Sequence, residues 1–342
     1  MLGGIKMIKG ILRASTPLIV DQGNKSIAIL EKIIIGGINQ YICIRGKNIE
    51  NPILLFLHGG PGDAMLPVMT GINKDLEDDF IVVNWEQRGT GKSYYPFGES
   101  DEINIDTFVS DIYELTKLLL KRFNKEKIYI MGNSWGSVIA IEAVQQYPKF
   151  YYAYIGIGQV VHMKENERLS YEYTLNQSIL RNDIKAEKQL KDMGVNYFDR
   201  SDWLKCLLLQ RKYLVKYGGA VYNQSNYRCL EKYFFSSPEY SLIDIINRIR
   251  GSKQSLKMLW LKLLEVDLFK TATQFEIPIY FIEGKHDYNA PSLLASQYYE
   301  CIDAPKKELI WFEKSAHFPQ WEEPKKFHTI LKDKIIKETY KF

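Results

Sequence analysis

The chain has 342 residues, more than the roughly 100–200 of a usual single core, which leaves one enlarged α/β domain carrying an insertion, or two domains. Its 46% hydrophobic and 25% charged content is that of an ordinary globular protein and excludes a small stapled module or a disordered chain. With 45 basic against 41 acidic residues, a formal net charge of +4, the balance predicts no nucleic-acid partner.

Residues 1–12, MLGGIKMIKGIL, are mildly apolar but broken by Gly and Lys, and predict neither a secretory h-region nor the ~18 apolar residues of a membrane span. The expectation is a cytoplasmic protein without stable membrane association. Ile27 to Ile44, divided at Gly36-Gly37-Ile38-Asn39, reads as an antiparallel hairpin. Ile53 to Leu57 and Phe80 to Asn84 are short continuous apolar runs, suited to strands buried on both faces, and are followed by the loops His58-Gly59-Gly60-Pro61-Gly62 and Arg88-Gly89-Thr90-Gly91. Phe108, Ile112, Leu115 and Leu119 fall at i, i+4, i+7 and i+11, the stripe of an amphipathic helix. Lys127 to Met131 predicts a strand, Val138 to Tyr147 a helix ended by Pro148, and Tyr152 to Ile157 a further strand. Such alternation is the signature of a parallel sheet with helical crossovers. From about Gln159 to Thr273 it stops, and the chain reads as helices rich in Lys, Glu, Tyr and Leu. It resumes with a strand at Ile277 to Glu283, a helix near Pro291 to Cys301, a strand at Glu308 to Phe312 and a helix from Pro324 to Glu338. The expected organisation is one α/β core made of residues 1–158 and 274–342, with residues 159–273 inserted as a helical cap. Cys43, Cys206, Cys229 and Cys301 lie far apart without C-x-x-C spacing and read as reduced thiols, not as a zinc or redox site.

Gly132-Asn133-Ser134-Trp135-Gly136 fits G-x-S-x-G between a predicted strand and a predicted helix, the context of a nucleophile elbow. A Ser on so sharp a turn crowds the positions two residues to either side, which must therefore lack bulky side chains. The helix that follows aims its N-terminal N–H groups at the place where an oxyanion would form. Such a serine needs a base, and the base an orienting carboxylate. Of the five histidines, His58 is expected to hold the Gly-rich loop by hydrogen bonding, His162 to open the cap, His328 to be exposed in the last helix, and His286 to point away from the neighbouring acid. His317, on the loop Lys314-Ser315-Ala316-His317-Phe318-Pro319 after a buried strand, is the expected base. The expected acid is Asp287, just past the strand that ends in Glu283-Gly284, with Asp303, which follows a helix, as the alternative. Ser134, Asp287 and His317 then occur in the order Ser, Asp, His, each just past a strand, where open α/β sheets place their sites. The Gly60 and Trp135 N–H groups are the expected oxyanion donors, and Gly59 beside them is expected to line the substrate site.

These motifs together resemble the α/β-hydrolase fold, and within it the prolyl iminopeptidase branch (proline iminopeptidase, peptidase family S33). The resemblance rests on His58 to Gly62, on Asn84-Trp85-Glu86-Gln87-Arg88-Gly89-Thr90-Gly91-Lys92-Ser93, on Gly132 to Ser137, on Gly284-Lys285-His286-Asp287 and on Ala316-His317-Phe318-Pro319. It implies removal of an N-terminal residue, typically proline, from peptides by a serine mechanism without metal or cofactor. Glu86 stands where that family usually has Asp, and Gly156-Ile157-Gly158-Gln159-Val160-Val161 differs from its Leu-Arg-Gly form. An aminopeptidase must also hold a substrate α-ammonium beside a carboxylate or other acceptors. Glu165 is the first candidate, with Glu167, Glu172 and Glu283 as others; solvated helix charges beside Lys164 and Arg168 are the competing reading. Tyr213 and Tyr217 read as cap core or as pocket lining. An esterase of the same fold would share the triad and differ only in its pocket, so the partner is a small peptide or a small ester or amide, and the oligomeric state stays open. A non-catalytic binder is disfavoured by the intact Ser, Asp, His order, and epoxide-hydrolase or dehalogenase chemistry by the Ser at the elbow.

Overall fold

In the computed structural model, which describes residues 14–20, 25–98 and 101–340, eight strands form a single sheet; the apolar opening at residues 1–12 lies outside the described residues. The strands are β1 (Ile27–Ile35), β2 (Ile38–Gly46), β3 (Ile53–Leu57), β4 (Ile81–Glu86), β5 (Ile128–Asn133), β6 (Tyr151–Ile157), β7 (Ile279–Gly284) and β8 (Lys307–Phe312). They lie in the order β1-β2-β4-β3-β5-β6-β7-β8. The β1–β2 and β2–β4 pairs are antiparallel and all others parallel, so the hairpin borders a parallel sheet.

The apolar runs are continuous because both faces of the sheet are covered. Ile53, Leu55 and Leu57 of β3 join one hydrophobic core and Leu54 and Phe56 the other, the period of two that a strand imposes. The first core is closed by α2 (Ile105–Phe123) and α3 (Trp135–Gln146), and the second by α1 (Leu66–Ile72) and the C-terminal helix residues Phe327, Leu331 and Ile335. Helix α2 begins with a reciprocal cap in which Asn104 accepts from the Thr107 N–H and Thr107 accepts from the Asn104 N–H, and ends at Asn124 in the left-handed region. The C-terminal helix, expected as one piece, runs from Pro324 to Ile330 and widens into a π turn over Leu331–Ile336.

Between β6 and β7 the described residues form helices: α4 (Met163–Leu180), α5 (Ile184–Met193), a 3-10 turn at Tyr197–Asp199, α6 (Trp203–Lys216), α7 (Arg228–Ser236), α8 (Leu242–Leu263) and a one-turn helix at Leu268–Thr271. The two ends of this insertion are tied together, the Met163 N–H donating to the Val266 carbonyl at 3.0 Å and the Leu268 N–H to the Val161 carbonyl at 2.9 Å. Tyr213 and Tyr217 are buried within it, stacked with ring centroids 6.2 Å apart. Helix α8 lies close against the core loops. A Cβ on Gly251 would fall 2.5 Å from the Gly89 carbonyl oxygen, and one on Gly62 would fall 2.4 Å from Ser255 Oγ. Three polar ties join the same surfaces: Lys92 to Asp244 at 2.7 Å, Arg248 to Asp63, and the Tyr240 hydroxyl to Glu86.

Candidate active site

Ser134 sits between β5 and α3 with φ +57° and ψ −122°, a strained conformation for a residue with a side chain. The flanking glycines make the turn sterically possible. A Cβ on Gly132 would lie 2.3 Å from the Gly136 carbonyl oxygen, and one on Gly136 2.1 Å from that of Leu57. On the other side of Ser134 is the loop after β3, where a Cβ on Gly59 would approach Ser134 Cβ to 3.1 Å. His58 holds this loop. Its Nε2 accepts the Gln87 N–H at 3.1 Å, so Nδ1 carries the proton and donates to the Gly59 carbonyl at 2.9 Å. Gln87 returns a bond to the His58 carbonyl and receives one from the Trp135 indole, both at 2.9 Å. Full burial lowers the His58 pKa to about 4, so the imidazole stays neutral.

Asp287 follows β7 and His317 follows β8, both 2% exposed. His317 Nδ1 donates to Asp287 Oδ2 at 2.7 Å. The other carboxylate oxygen of Asp287 accepts the N–H groups of Asn289 and Ala290 at 2.8 and 2.9 Å, which leaves the acid oriented and fully bonded. His317 Nε2 is buried and takes no hydrogen bond from the described residues. Ser134, Trp135, Gly59, Gly60 and His317 all line one cavity of about 230 Å³. Gly158, just past β6, packs on the pair from behind with φ +52°, and a Cβ there would fall 2.8 Å from His317 Nδ1. Gln159 beside it is buried, donating its N–H to Glu283 at 2.9 Å and accepting from the Tyr154 hydroxyl at 2.6 Å. The segment that departs from the resembled family's pattern is therefore a buried polar node under the His–Asp pair.

Other candidates are placed elsewhere. Asp303 pairs with Gln274 in an isolated bridge. The ring of His286 lies against Tyr222 at 4.6 Å, and the Nδ1 of His162 accepts the Glu165 N–H at the start of α4. His328, expected exposed, is instead largely covered, its Nε2 2.8 Å from Asp79.

The first candidate for an amine anchor, Glu165, does not line the cavity and turns outward, held by Arg168 Nε and an Nη. Arg168 also takes Glu172. Glu167 is fully buried and bonded to Arg211 and Tyr197. Glu283 is buried away from the cavity, with burial and then the Asp287 charge raising its pKa well above the carboxylate range. The carboxylates that do line the cavity are Asp63 and Glu231, neither evident from the motifs. Arg211 and Arg248 line it as well, but their charges are met by Glu167 and Asp63. Among the described residues, Glu231, which is solvent-exposed, is the lining carboxylate without an ion-pair partner.

A sheet of this order, with its elbow after β5 and its His–Asp pair after β8 and β7, defines an α/β-hydrolase. The alpha/beta hydrolase fold family model matches residues 52–324, and the chain belongs to that family. It is 32% identical over 312 residues to "Probable aminopeptidase YbaC" of Bacillus subtilis (strain 168), covering 90% of this chain and 96% of the relative. It is 26% identical over 315 residues to "Proline iminopeptidase" of Clostridioides difficile (strain 630), covering 86% and 94%. Among solved structures, the proline iminopeptidase of Mycobacterium smegmatis superposes with a TM-score of 0.63 at 14% identity, covering 91% of this chain and 98% of that one. The last likeness is one of fold.

Proposed function

We propose that the protein is a serine aminopeptidase that releases an N-terminal residue, proline among its substrates, through an acyl-enzyme on Ser134. The observation that carries this is a buried, unbonded His317 Nε2 on the same cavity as the strained Ser134, with its Nδ1 held by Asp287. His317 Nε2 takes the hydroxyl proton as Ser134 Oγ bonds to the acyl carbon, and the N–H groups of Gly60 and Trp135 receive the oxyanion. The imidazolium, stabilised by Asp287, then gives that proton to the leaving amine as the C–N bond breaks. Water, deprotonated by the same histidine, hydrolyses the ester and frees Ser134. The helical insertion serves as the cap, since Met163, Leu207, Leu256, Trp260 and Leu263 supply much of the apolar lining.

The aminopeptidase assignment is supported by Glu231, whose uncompensated charge in an otherwise neutralised cavity attracts a cation such as the substrate α-ammonium. The aminopeptidase and proline iminopeptidase names of the relatives point the same way. The apolar share of the lining favours a second reading, hydrolysis of small carboxylic esters, in which the same triad acts and Glu231 is idle. Free, unpaired thiols at Cys43, Cys206, Cys229 and Cys301 support a reducing, cytoplasmic setting, and no described helix is long and apolar enough to cross a membrane. Ser134→Ala tests the chemistry: proline arylamide and aryl-ester turnover both disappear while the circular-dichroism spectrum is kept. Undiminished turnover by that variant overturns the serine mechanism, and esterase without arylamidase activity in the parent selects the second reading.

A further inference from the structure

One carboxylate holds the two residues that flank His317. Glu322 Oε2 accepts the N–H of Ala316 at 2.9 Å and that of Phe318 at 3.1 Å, the residues on either side of His317. Its Oε1 accepts a third N–H at 2.5 Å, from Tyr222 in the stretch between α6 and α7. That stretch is also joined to the site directly. The His317 N–H donates to the Ala220 carbonyl at 3.1 Å, and the Tyr288 N–H, one residue past Asp287, to the Gly219 carbonyl at 2.9 Å.

An ionised carboxylate is suited to this place because three converging N–H donors need an acceptor without hydrogens of its own; burial raises the Glu322 pKa to about 7, so that form prevails above neutral pH, where the assays below are run. An amide offers one such oxygen and turns its NH2 toward the remaining donor, leaving donor against donor. Glu322 touches neither Ser134 nor the cavity, and acts only through the backbone that sets the height and tilt of the imidazole. Its neighbour Glu323 makes similar bonds one step further away, to the Lys314 N–H at 3.1 Å and Ser315 Oγ at 2.8 Å, and so provides an internal comparison.

We propose that Glu322 is a positioning residue for His317: it locks the imidazole at the height needed for proton transfer and couples that height to the inserted segment 219–222. The proposal rests on His317 being the general base and acid of the preceding section. A displaced imidazole hurts most where it must deliver a proton. An amide or alkyl-ester leaving group departs only with a proton, whereas 4-nitrophenolate departs without one, so mispositioning lowers the first kind of turnover more than the second.

The test compares kcat/KM for an amide or alkyl ester with that for the 4-nitrophenyl ester of the same acyl group, in Glu322→Gln, Glu323→Gln and Ser134→Ala. Glu322→Gln is expected to lower the ratio ~10-fold or more, a partial loss of the ~10²–10⁴-fold that a positioned acid–base group supplies, with Glu323→Gln at the parent ratio. A purely structural role would lower both activities with the folded fraction and leave the ratio alone; that outcome, or equal changes in the two glutamate variants, overturns the proposal. If Glu322→Gln does not fold, Glu322→Asp, which keeps the charge but withdraws it by one methylene, is read in the same way. Ser134→Ala separates the two levels: turnover surviving in it refutes the serine mechanism itself, whereas its inactivity alongside an unchanged Glu322→Gln ratio refutes only the positioning role.

Discussion

Gly158→Ala perturbs the His317–Asp287 pair without replacing either residue. The added Cβ would lie 2.8 Å from His317 Nδ1, 2.9 Å from Cε1 and 3.2 Å from Asp287 Oδ2, where heavy atoms settle at ~3.5 Å or more. The imidazole must retreat by roughly half an ångström or more, and the hydrogen bond to Asp287 lengthens or tilts. Alanine at φ +52° adds ~1–2 kcal/mol of backbone strain, which a domain of ~5–15 kcal/mol stability survives. Since a misplacement of about 1 Å in a catalytic arrangement can cost ~10²-fold, kcat/KM should fall ~10- to 100-fold, or ~1.4–2.7 kcal/mol of transition-state stabilisation. Gly194→Ala isolates the strain, because Gly194 has φ +77° and nothing within 4 Å of its prospective Cβ. The assay is kcat/KM on a chromogenic amide with a thermal melt of each variant. Both should melt lower, and only Gly158→Ala should lose activity beyond its unfolded fraction. Equal kcat/KM for the two alanine variants would refute the claim that Gly158 sets the pair.

Two further tests address charge. Glu86 is buried against the Tyr240 hydroxyl and the Lys92 N–H, and burial raises its pKa to about 7. The folded state therefore binds a proton that the unfolded state, near pKa ~4.3, releases; this favours folding below about pH 4 and is lost as pH rises through about 7. Glu86→Gln, which keeps the shape and can reverse the Tyr240 bond, should remove a penalty of ~3 kcal/mol at pH 8 and little at pH 4.5. Urea titrations at the two pH values check this, and the same stability change at both would contradict it. Glu231→Gln should raise KM for substrates with a free amino terminus by ~10-fold, the scale of one charge-assisted contact, while leaving N-acylated or plain ester substrates unchanged. Equal effects on both substrate kinds would remove Glu231 from amine recognition.

The sheet was legible because its strands are short apolar runs bounded by glycine loops, and burial on both faces requires just that composition. Ser134, Asp287 and His317 were legible as candidates through chain order and strand ends. The glycines of the elbow were legible for a local reason, since they relieve crowding between residues close in sequence. The rotation of α4 was not legible, because the face it buries is largely polar, with Asn166, Glu167, Ser170, Thr174 and Ser178 beside Met163 and Tyr171. In the fold Glu167 points inward to Arg211, while Glu165 and Glu172 point outward to Arg168.

Glu322 escaped notice for a related reason. In sequence it looks like one of two solvated acids, Glu322-Glu323, ahead of a proline-started helix; only the approach of the Tyr222 N–H from a hundred residues away gives its carboxylate three donors. The cavity charges follow the same rule. Arg211 and Arg248 reach it from α6 and α8, yet each is neutralised by a partner on another element, so the net charge left at Glu231 is a sum that no single segment contains. By itself the sequence determined the mostly parallel sheet and its flanking helices, because those depend on local burial and local sterics. Tertiary structure alone decided which acids face the cavity, which cations are spent and what holds His317, because those depend on the rotation and contact of helices whose own polar patterns leave that rotation free.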